Sequence, residues 1–337
     1  MEYRNVAPLR SCVKPSLPSR PIFSLNTFNF STANLQLPVI SPDQTYPALS
    51  STTQSLVKLI ECPRDAMQGL HDFIPTETKA NYINQLLRVG FDTLDFGSFV
   101  SPKAIPQMRD TAEVLSKLDL SNTATKLLAI VANERGAEDA CQYPEIQYLG
   151  YPFSISETFQ KRNTNATIAE SVERTKFIQD MCVRHGKELV LYISMGFGNP
   201  YGDPWNVETV HRWVDTLVPL GIRTFSLSDT IGCSNPQNIS YLFSNLIPAY
   251  PDIEFGAHLH TLPQNWREKI EAAWASGCRR YDGALRGFGG CPMAKDDLTG
   301  NMAMENLVFF LDEVGVESGL DRQAFGKSLV MADEVFK

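Results

Sequence analysis

Several features that would place this chain in a specialised class of protein are missing from its sequence. No apolar run reaches the roughly 18–20 residues that a membrane-spanning helix needs, so we expect no integral membrane protein. The seven cysteines lie far apart, which argues against a disulfide framework and against a CxxC zinc site. A net charge of −8 argues against nucleic-acid binding. With 43% hydrophobic residues, the composition is typical of a soluble enzyme with a sizeable core.

Residues 1–54 contain none of the 21 glycines, although they hold seven of the 21 prolines and are dense in serine and threonine. Four basic residues against two acidic ones give this segment a charge of +2, which leaves −10 on the remainder. No helical or alternating apolar period is sustained, so we expect a low-order N-terminal extension. Its acid-poor, serine-rich composition also resembles a transit peptide. We favour an extension without a targeting role and a cytoplasmic protein; the alternative is the mitochondrial matrix.

Residues 55–337 alternate short apolar runs with amphipathic stretches, and eight such units fit into about 260 residues. This alternation predicts parallel strands joined by helices, and the count of eight predicts a (β/α)8 TIM barrel. A doubly wound open sheet is the alternative, weakened because no G-x-G-x-x-G motif follows an early strand. The predicted strands are 56–61, 93–96, 126–131, 147–151, 189–194, 224–227, 253–257 and 280–282. The predicted helices include 76–89, 105–115, 168–185, 207–218, 236–249, 263–276 and a final helix at 322–335.

Polar residues follow the predicted strands at the ends where the chemistry of such barrels takes place. His258 and His260 end strand seven, and side chains two apart on a strand point to the same side. Two imidazoles at this spacing can bind one metal ion, and Asp65 after strand one can add a carboxylate. With an asparagine carbonyl from Asn301, this oxygen and nitrogen set favours Mg²⁺ or Mn²⁺ over tetrahedral Zn²⁺. The alternative is a pair of ordinary polar residues at a strand end.

Three further residues at the same mouth have alternative interpretations. Arg64, beside Asp65, is a fixed cation that could stabilise an enolate oxygen, or a structural ion pair. Asp229, after strand six, could orient a histidine ligand or cap the next helix. Cys291 follows a glycine-rich loop and could take part in acid–base chemistry, although most lone cysteines are buried small hydrophobic residues.

These residues resemble the 3-hydroxy-3-methylglutaryl-CoA (HMG-CoA) lyases, which belong to the metal-dependent lyase branch of TIM barrels. The resemblance covers roughly residues 56–320, and its clearest part is GSFVSPK at 97–103 followed by PQM at 106–108. This part is similar to the SFVSPKWVPQM stretch of the lyases and much less like the related synthases. Supporting matches are PRD at 63–65 with Gln68, SE at 156–157, DTIG at 229–232, HLH at 258–260 and GGCP at 289–292.

The resemblance implies cleavage of HMG-CoA to acetoacetate and acetyl-CoA, with roles in leucine degradation and ketone body formation. It implies an acyl-CoA substrate, Mg²⁺ or Mn²⁺ as cofactor, a homodimer, and neither a nucleic-acid nor a membrane partner. The implied metal ligands are Asp65, His258, His260 and Asn301. The implied catalytic residues are Arg64, Cys291, Asp95 and His258, with His258 or a water held by Asp95 as the base. The implied substrate contacts are Arg64, Gln68, Ser98 and Asp229.

The chain also departs from the family pattern near these residues. Position 95 is aspartate where the family has glutamate, and Thr261 with Leu262 replaces an Asp-Thr pair after the second histidine. Residues 66–70 read AMQGL where the family reads GLQNE, and the spacing from Cys291 to Asn301 is one residue longer. The alternatives are therefore a lyase or aldolase acting on a related 3-hydroxyacyl-CoA or 2-oxo acid, a synthase working in the opposite direction, and a non-catalytic metabolite-binding barrel.

Overall fold

A computed structural model describes residues 57–290 and 299–336 of the chain. Eight strands close into a parallel barrel in the order β1 to β8, and β8 pairs with β1. All eight predicted strands are present, so the TIM barrel is confirmed and the open sheet is excluded. The strands are β1 Lys58–Glu61, β2 Thr93–Ser98, β3 Lys126–Ile130, β4 Ile146–Ser154, β5 Glu188–Ser194, β6 Thr224–Ser228, β7 Glu254–His258 and β8 Arg280–Gly283.

Helices connect the strands and form the outer layer of the barrel. They are α1 Pro63–Gln68, α2 Thr76–Leu87, α3 Thr111–Ser116, α4 Glu134–Cys141, α5 Glu157–Thr164, α6 Ile168–Arg184, α7 Val207–Leu217, α8 Pro236–Ala249, α9 Trp266–Ala275, α10 Met304–Glu313 and α11 Arg322–Val335. The helices predicted at 236–249 and 322–335 have the observed bounds. None of the helices in the described ranges is long and apolar enough to cross a membrane.

The helix predicted at 105–115 is instead a 3-10 turn, Pro106–Met108, followed by the short helix α3. Thr111 explains the break, because its hydroxyl donates to the carbonyl of Met108 and accepts from the backbone N–H of Ser98. These bonds attach the segment to the end of β2. The helix predicted from residue 263 begins only at Trp266, since the Asn265 side chain accepts from the N–H of Leu262 in a tight turn.

The inside of the barrel is filled by side chains that alternate along the strands, as this fold requires. A small apolar cluster at its centre comprises Leu128, Ile130, Tyr148, Val190 and Tyr192. Gly150 of β4 makes room for it, because a Cβ atom there would lie 2.5 Å from Ile130 Cδ1. This cluster fills the interior beside β3, β4 and β5.

Side-chain caps fix where several helices begin on that same end of the barrel. Asn133, Ser156, Asn206 and Asn235 each accept a hydrogen bond from a backbone N–H in the first turn of the following helix. Such caps satisfy N–H groups that the helix itself leaves unpaired, and each contributes about 1 kcal/mol. The chain therefore leaves β3 to β6 along defined paths, and this keeps the loops around the mouth in place.

Candidate active site

Two walls of polar residues lie side by side at the mouth of the barrel, one from the segment β1–α1–β2 and the other from β7 and β8. The carboxylate wall consists of Arg64, Asp65 and Asp95, and the histidine wall consists of His258, His260 and Asp282. The first wall forms because β1 is followed at once by helix α1, which begins with Pro63. Proline suits the first turn of a helix because it lacks only an N–H that would be unpaired there. The immediate turn brings the next two side chains back over the strand ends.

Asp65, His258 and His260 form a compact group of possible metal ligands. One ligand atom from each lies within 4.8 Å of the others, and the Nε2 atoms of the two histidines are 3.3 Å apart. Asn301 joins the group, since its Nδ2 donates to Asp65 Oδ2 at 2.7 Å and its backbone forms a bridge with His260. All four residues predicted as ligands are thus brought together, although β1, β7 and the segment after residue 299 are remote in sequence.

The donor set fits a divalent cation. Two imidazoles, a carboxylate and an amide oxygen suit a six-coordinate Mg²⁺ or Mn²⁺ whose remaining positions are taken by water or substrate. Burial, and next the neighbouring His258, lower the pKa of His260 to about 4, so its ring is neutral and able to bind a metal. Nδ1 of His260 is buried and has no hydrogen-bond partner in the described part of the chain.

The charge of Asp65 is stabilised by its neighbours on the carboxylate wall. Burial alone would raise the pKa of this carboxyl, but the charge of Arg64 and the two histidines outweigh it and lower the pKa. Arg64 Nη1 donates to Asp65 Oδ1 at 2.9 Å, and Gln68 Nε2 donates to the same oxygen at 2.6 Å. The carboxylate is therefore ionised and oriented, as a metal ligand must be.

Arg64 is held on its other side by Asp95. Its Nε and Nη2 atoms donate to the Asp95 carboxylate at 2.5–3.2 Å. Burial raises the pKa of Asp95 to about 6, and the opposing charge of Arg64 only partly offsets this effect. The shorter aspartate at this position therefore still reaches the arginine. The guanidinium is fixed by two carboxylates, an arrangement that can meet a developing negative charge without reorganising.

Within the histidine wall, His258 is supported by Asp282. Nδ1 of His258 lies 3.2 Å from Asp282 Oδ2, and that oxygen also accepts from the Ser226 hydroxyl at 3.1 Å. The carboxylate orients the ring so that Nε2 faces the other ligands, a common support for metal-binding histidines. Sequence reasoning missed Asp282, although its place near the end of β8, at the level of His258, was a usable signal.

A cavity of about 380 Å³ opens beside the two walls. Arg64, Asp65, Gln68, Ser98 and both histidines contribute to its lining. The Ser98 hydroxyl is buried and has no hydrogen-bond partner among the described residues. Arg162, which sequence reasoning also missed, lines the cavity and stacks its guanidinium 5.2 Å from the ring centre of Tyr201. The lining of the cavity thus combines polar residues of the two walls with a second arginine.

Comparison with known proteins shows what this site belongs to. The HMGL-like family model matches residues 57–329 of the chain. This chain is a member of the HMGL-like family. A hydroxymethylglutaryl-CoA lyase of Bacillus subtilis, YngG, is 32% identical over 77% of this chain and 85% of its own length. An (R)-citramalyl-CoA lyase of Chloroflexus aurantiacus is 30% identical over 78% of this chain and 85% of its own length.

Solved structures agree with these relatives. An HMG-CoA lyase from Acinetobacter baumannii, in complex with coenzyme A and 3-methylmalate, superposes with a TM-score of 0.78 at 29% identity. The match covers 85% of this chain and 93% of that one. The resemblance to the HMG-CoA lyases is thereby confirmed, and this HMGL-like chain is a metal-dependent carbon–carbon lyase.

Asp229 lies behind the site of this HMGL-like lyase. Its carboxylate has no exposed surface and accepts from the hydroxyl and N–H of Ser234 and from Lys269 Nζ at 2.8 Å. Lys269 is itself buried and also donates to the carbonyl of His260 at 2.9 Å. Asp229 is not among the described residues that line the cavity. Asp229 and Lys269 secure the backbone of the proposed histidine ligand His260.

Cys291, which was predicted as a catalytic residue, and the predicted N-terminal extension at residues 1–54 lie outside the described residues.

Proposed function

We propose that this chain cleaves HMG-CoA to acetoacetate and acetyl-CoA by a retro-Claisen reaction that depends on Mg²⁺ or Mn²⁺. The observation that carries this proposal is the convergence of Asp65, His258 and His260 beside Arg64 at the mouth of an HMGL-like barrel. The hydroxymethylglutaryl-CoA lyase among its relatives supports the choice of substrate.

Asp65, His258, His260 and Asn301 would hold the cation. When bound, a divalent cation supplies Lewis-acid chemistry that lowers the pKa of the substrate's C3 hydroxyl. His258 offers Nε2 for this purpose, because its Nδ1 faces Asp282. With both nitrogens engaged in this way, the ring has no free position for accepting a proton. We therefore assign His258 as a ligand and not as the base of the reaction.

In the proposed reaction the C3 hydroxyl loses its proton, its oxygen becomes the ketone of acetoacetate, and the C2–C3 electron pair becomes a thioester enolate. Asp95 is the proposed acceptor of that proton, through a water molecule, because a pKa of about 6 suits a base near neutral pH. Arg64 stabilises the enolate oxygen with its fixed charge. Cys291 is the proposed donor of the proton that completes acetyl-CoA.

Substrate contacts come from the cavity wall next to Arg64. Ser98 offers a buried hydroxyl with no partner among the described residues, and Gln68 lines the cavity while it supports Asp65. Arg162 stands at the same cavity and provides a cation for the anionic coenzyme A portion. The filled hydrogen bonds of Asp229 support a role in holding Lys269, in place of a contact to substrate.

A second candidate is a lyase that acts on (R)-citramalyl-CoA, and the Chloroflexus relative favours it. Both thioesters would give acetyl-CoA, but the other product is acetoacetate from HMG-CoA and pyruvate from citramalyl-CoA. The departures at residues 66–70 and 261–262 flank Asp65 and His260, where a change of acyl group would be accommodated.

The test is turnover of the full chain on both thioesters with Mg²⁺, with Mn²⁺ and with a chelator. A 3-hydroxybutyrate dehydrogenase assay detects acetoacetate, and a lactate dehydrogenase assay detects pyruvate. We expect acetoacetate from HMG-CoA with either cation and none with the chelator. His260→Ala should abolish it, whereas His211→Ala, on the exposed surface of α7, should not. Pyruvate without acetoacetate would establish the second candidate, and no product from either thioester would refute both.

We further propose that the protein is a homodimer in the cytoplasm. The dimer follows from the resemblance to the HMG-CoA lyases, and the compartment depends on whether residues 1–54 direct import. Sedimentation equilibrium of the full chain tests the first, with a monomer as the contrary result. A fusion of residues 1–54 to a fluorescent reporter tests the second, since mitochondrial import of the reporter would replace the cytoplasm with the matrix.

A further inference from the structure

A buried arginine lies inside the barrel, below the histidine wall. Arg280 is the first residue of β8 and is only 1% exposed. Gly256 on the adjacent strand β7 makes this possible, because a Cβ atom there would lie 2.8 Å from Arg280 Cδ. Side chains alternate along a strand, so Arg280 and Asp282 point to the same side, into the barrel.

The guanidinium of Arg280 has fewer hydrogen-bond acceptors than donors among the described residues. Nη1 reaches Glu254 Oε2 at 3.4 Å, but that carboxylate is partly exposed and pairs more closely with Lys58 at 2.6 Å. Nε and Nη2 of Arg280 have no hydrogen-bond partner within 57–290 and 299–336. A buried guanidinium in this condition is costly unless further acceptors are nearby.

The matching acceptors lie on the side of Arg280 that faces the active site. Oδ1 of Asp282 is buried without a partner in the described chain, and so is the Tyr192 hydroxyl, whose ring packs edge-on against His258 at 5.7 Å. Donors on Arg280 and acceptors above it thus complement one another. Burial would lower the pKa of Arg280, but Asp282, and after it Glu254, raise it above its usual value. Ordered water commonly joins buried polar groups of this kind.

We propose that Arg280 is a positioning residue that acts through Asp282, holding its carboxylate in the orientation in which it meets Nδ1 of His258. This inference rests on the proposed role of His258 as a metal ligand. Oδ1 is the oxygen of Asp282 that is left for Arg280, because Oδ2 meets the imidazole of His258 and the hydroxyl of Ser226. Without the cation, Asp282 can rotate away, and the ring of His258 loses the support that aims its Nε2 at the other ligands.

If Arg280 had a purely structural role, its replacement would affect folding and not metal binding. A double substitution separates this role from the positioning role. The double variant Gly256→Ala/Arg280→Val removes the cation and refills its space with apolar atoms. Replacing a buried ion by well-packed apolar groups is often neutral or stabilising, so this variant should fold and unfold thermally close to the wild type. Arg279→Met is the matched control, because Arg279 lies next in sequence but stacks on Trp274, 3.7 Å from its ring centre.

The decisive measurement is Mn²⁺ affinity, read from the electron paramagnetic resonance signal of free Mn²⁺. We expect the double variant to bind Mn²⁺ about 10-fold more weakly than the wild type, since loss of support for a ligating histidine has effects of this order. The Arg279→Met control should bind as the wild type does. At saturating Mn²⁺ we also expect kcat to fall while the KM for the thioester changes by less than about twofold.

Wild-type Mn²⁺ affinity together with wild-type kcat in the double variant would overturn the positioning role. If the double variant does not fold, Arg280→Met, which removes the cation but fills a similar space, replaces it: unchanged affinity would overturn the proposal, and weakened affinity in a folded protein would support it. The comparison of Mn²⁺ affinities between the wild type and the variants does not depend on which thioester is the substrate. A wild-type chain that binds Mn²⁺ but cleaves neither thioester refutes the proposed substrate, while the Mn²⁺ affinities still decide the role of Arg280.

Discussion

The two walls of the active site are built on different principles. On the carboxylate wall, Arg64 and Asp65 each have at least two side-chain partners: Arg64 donates to Asp65 and Asp95, and Asp65 also accepts from Gln68 and Asn301. Both oxygens of Asp95 accept from Arg64. On the histidine wall, Nδ1 of His260 and Oδ1 of Asp282 have no partner among the described residues. The first wall is complete as it stands, and the second is not.

This difference separates two tasks of the same site. A guanidinium held between two carboxylates is already oriented before substrate arrives, which is the condition for electrostatic stabilisation of a developing charge. The histidine wall instead offers nitrogen atoms and relies on single supporting contacts to aim them. We therefore expect substitutions of Arg64 and Asp95 to act through the charge of Arg64, and changes to the support of Asp65 or on the histidine wall to act through metal affinity.

The strongest test removes the charge from the carboxylate wall. Arg64→Met should lower kcat about 10²–10³-fold at saturating metal, the usual loss when one preorganised donor to an oxyanion is removed. Arg64→Lys should recover only part of the loss, because an ammonium cannot bond both carboxylates as the planar guanidinium does. Steady-state kinetics on the active thioester measures the effect, with Arg184→Met on the exposed surface of α6 as control. A wild-type kcat in Arg64→Met would contradict the assigned role.

The next test removes the carboxylate that supports His258 on the histidine wall. Asp282→Asn should weaken Mn²⁺ binding about 10–100-fold, since an amide supports the ligating tautomer of His258 less well than a carboxylate does. Titration calorimetry measures the affinity. Asp252→Asn changes an exposed aspartate at the opposite end of β7 and serves as the matched control. Equal affinities of the two variants would show that the wall does not depend on Asp282.

The carboxylate wall also predicts a pH dependence. Burial raises the pKa of Asp95 to about 6, so its carboxyl gains a proton below that pH. The protonated form loses its charge attraction to Nε and Nη2 of Arg64 and cannot accept a proton from the reaction. We expect kcat to fall about 10-fold for each pH unit below this pKa. Asp95→Asn should have a low kcat without this acidic limb, whereas Asp139→Asn, on exposed α4, should keep it. A pH-independent wild-type kcat between pH values of about 5 and 7 would contradict the prediction.

The eight strands could be predicted because short apolar runs alternate with helices that end at glycines such as Gly90, Gly186 and Gly277, all of which adopt positive φ angles. The break before α3 could not be predicted from the sequence, because it depends on a hydrogen bond between Thr111 and the distant end of β2. Apolar periodicity reports the local face of a helix and carries no information about such a tertiary contact.

The candidate ligand group, like the strands, could be predicted from the sequence, because the strand ends of a barrel share one mouth and His258-x-His260 has a clear spacing. The buried positions of Lys269 and Arg280 could not be predicted from the sequence. In the sequence, Lys269 is a charged residue of an amphipathic helix, and such lysines usually face water. Arg280 is the first residue of a strand and resembles an exposed charge at a strand end until the missing Cβ of Gly256 shows where its side chain fits.

The smallest expected effect sharpens the contrast between the walls. Gln68→Ala removes one of the three donors to Asp65, but Arg64 and Asn301 still hold that carboxylate. The loss should be about 1 kcal/mol, which corresponds to Mn²⁺ affinity weakened by about fivefold. Gln142→Ala, at the exposed end of α4, is the matched control. Because Asp282 is the single side-chain partner of His258 Nδ1 among the described residues, whereas Gln68 is one of three donors to Asp65, Gln68→Ala must weaken binding less than Asp282→Asn. The reverse order would show that the carboxylate wall is the less completely supported of the two.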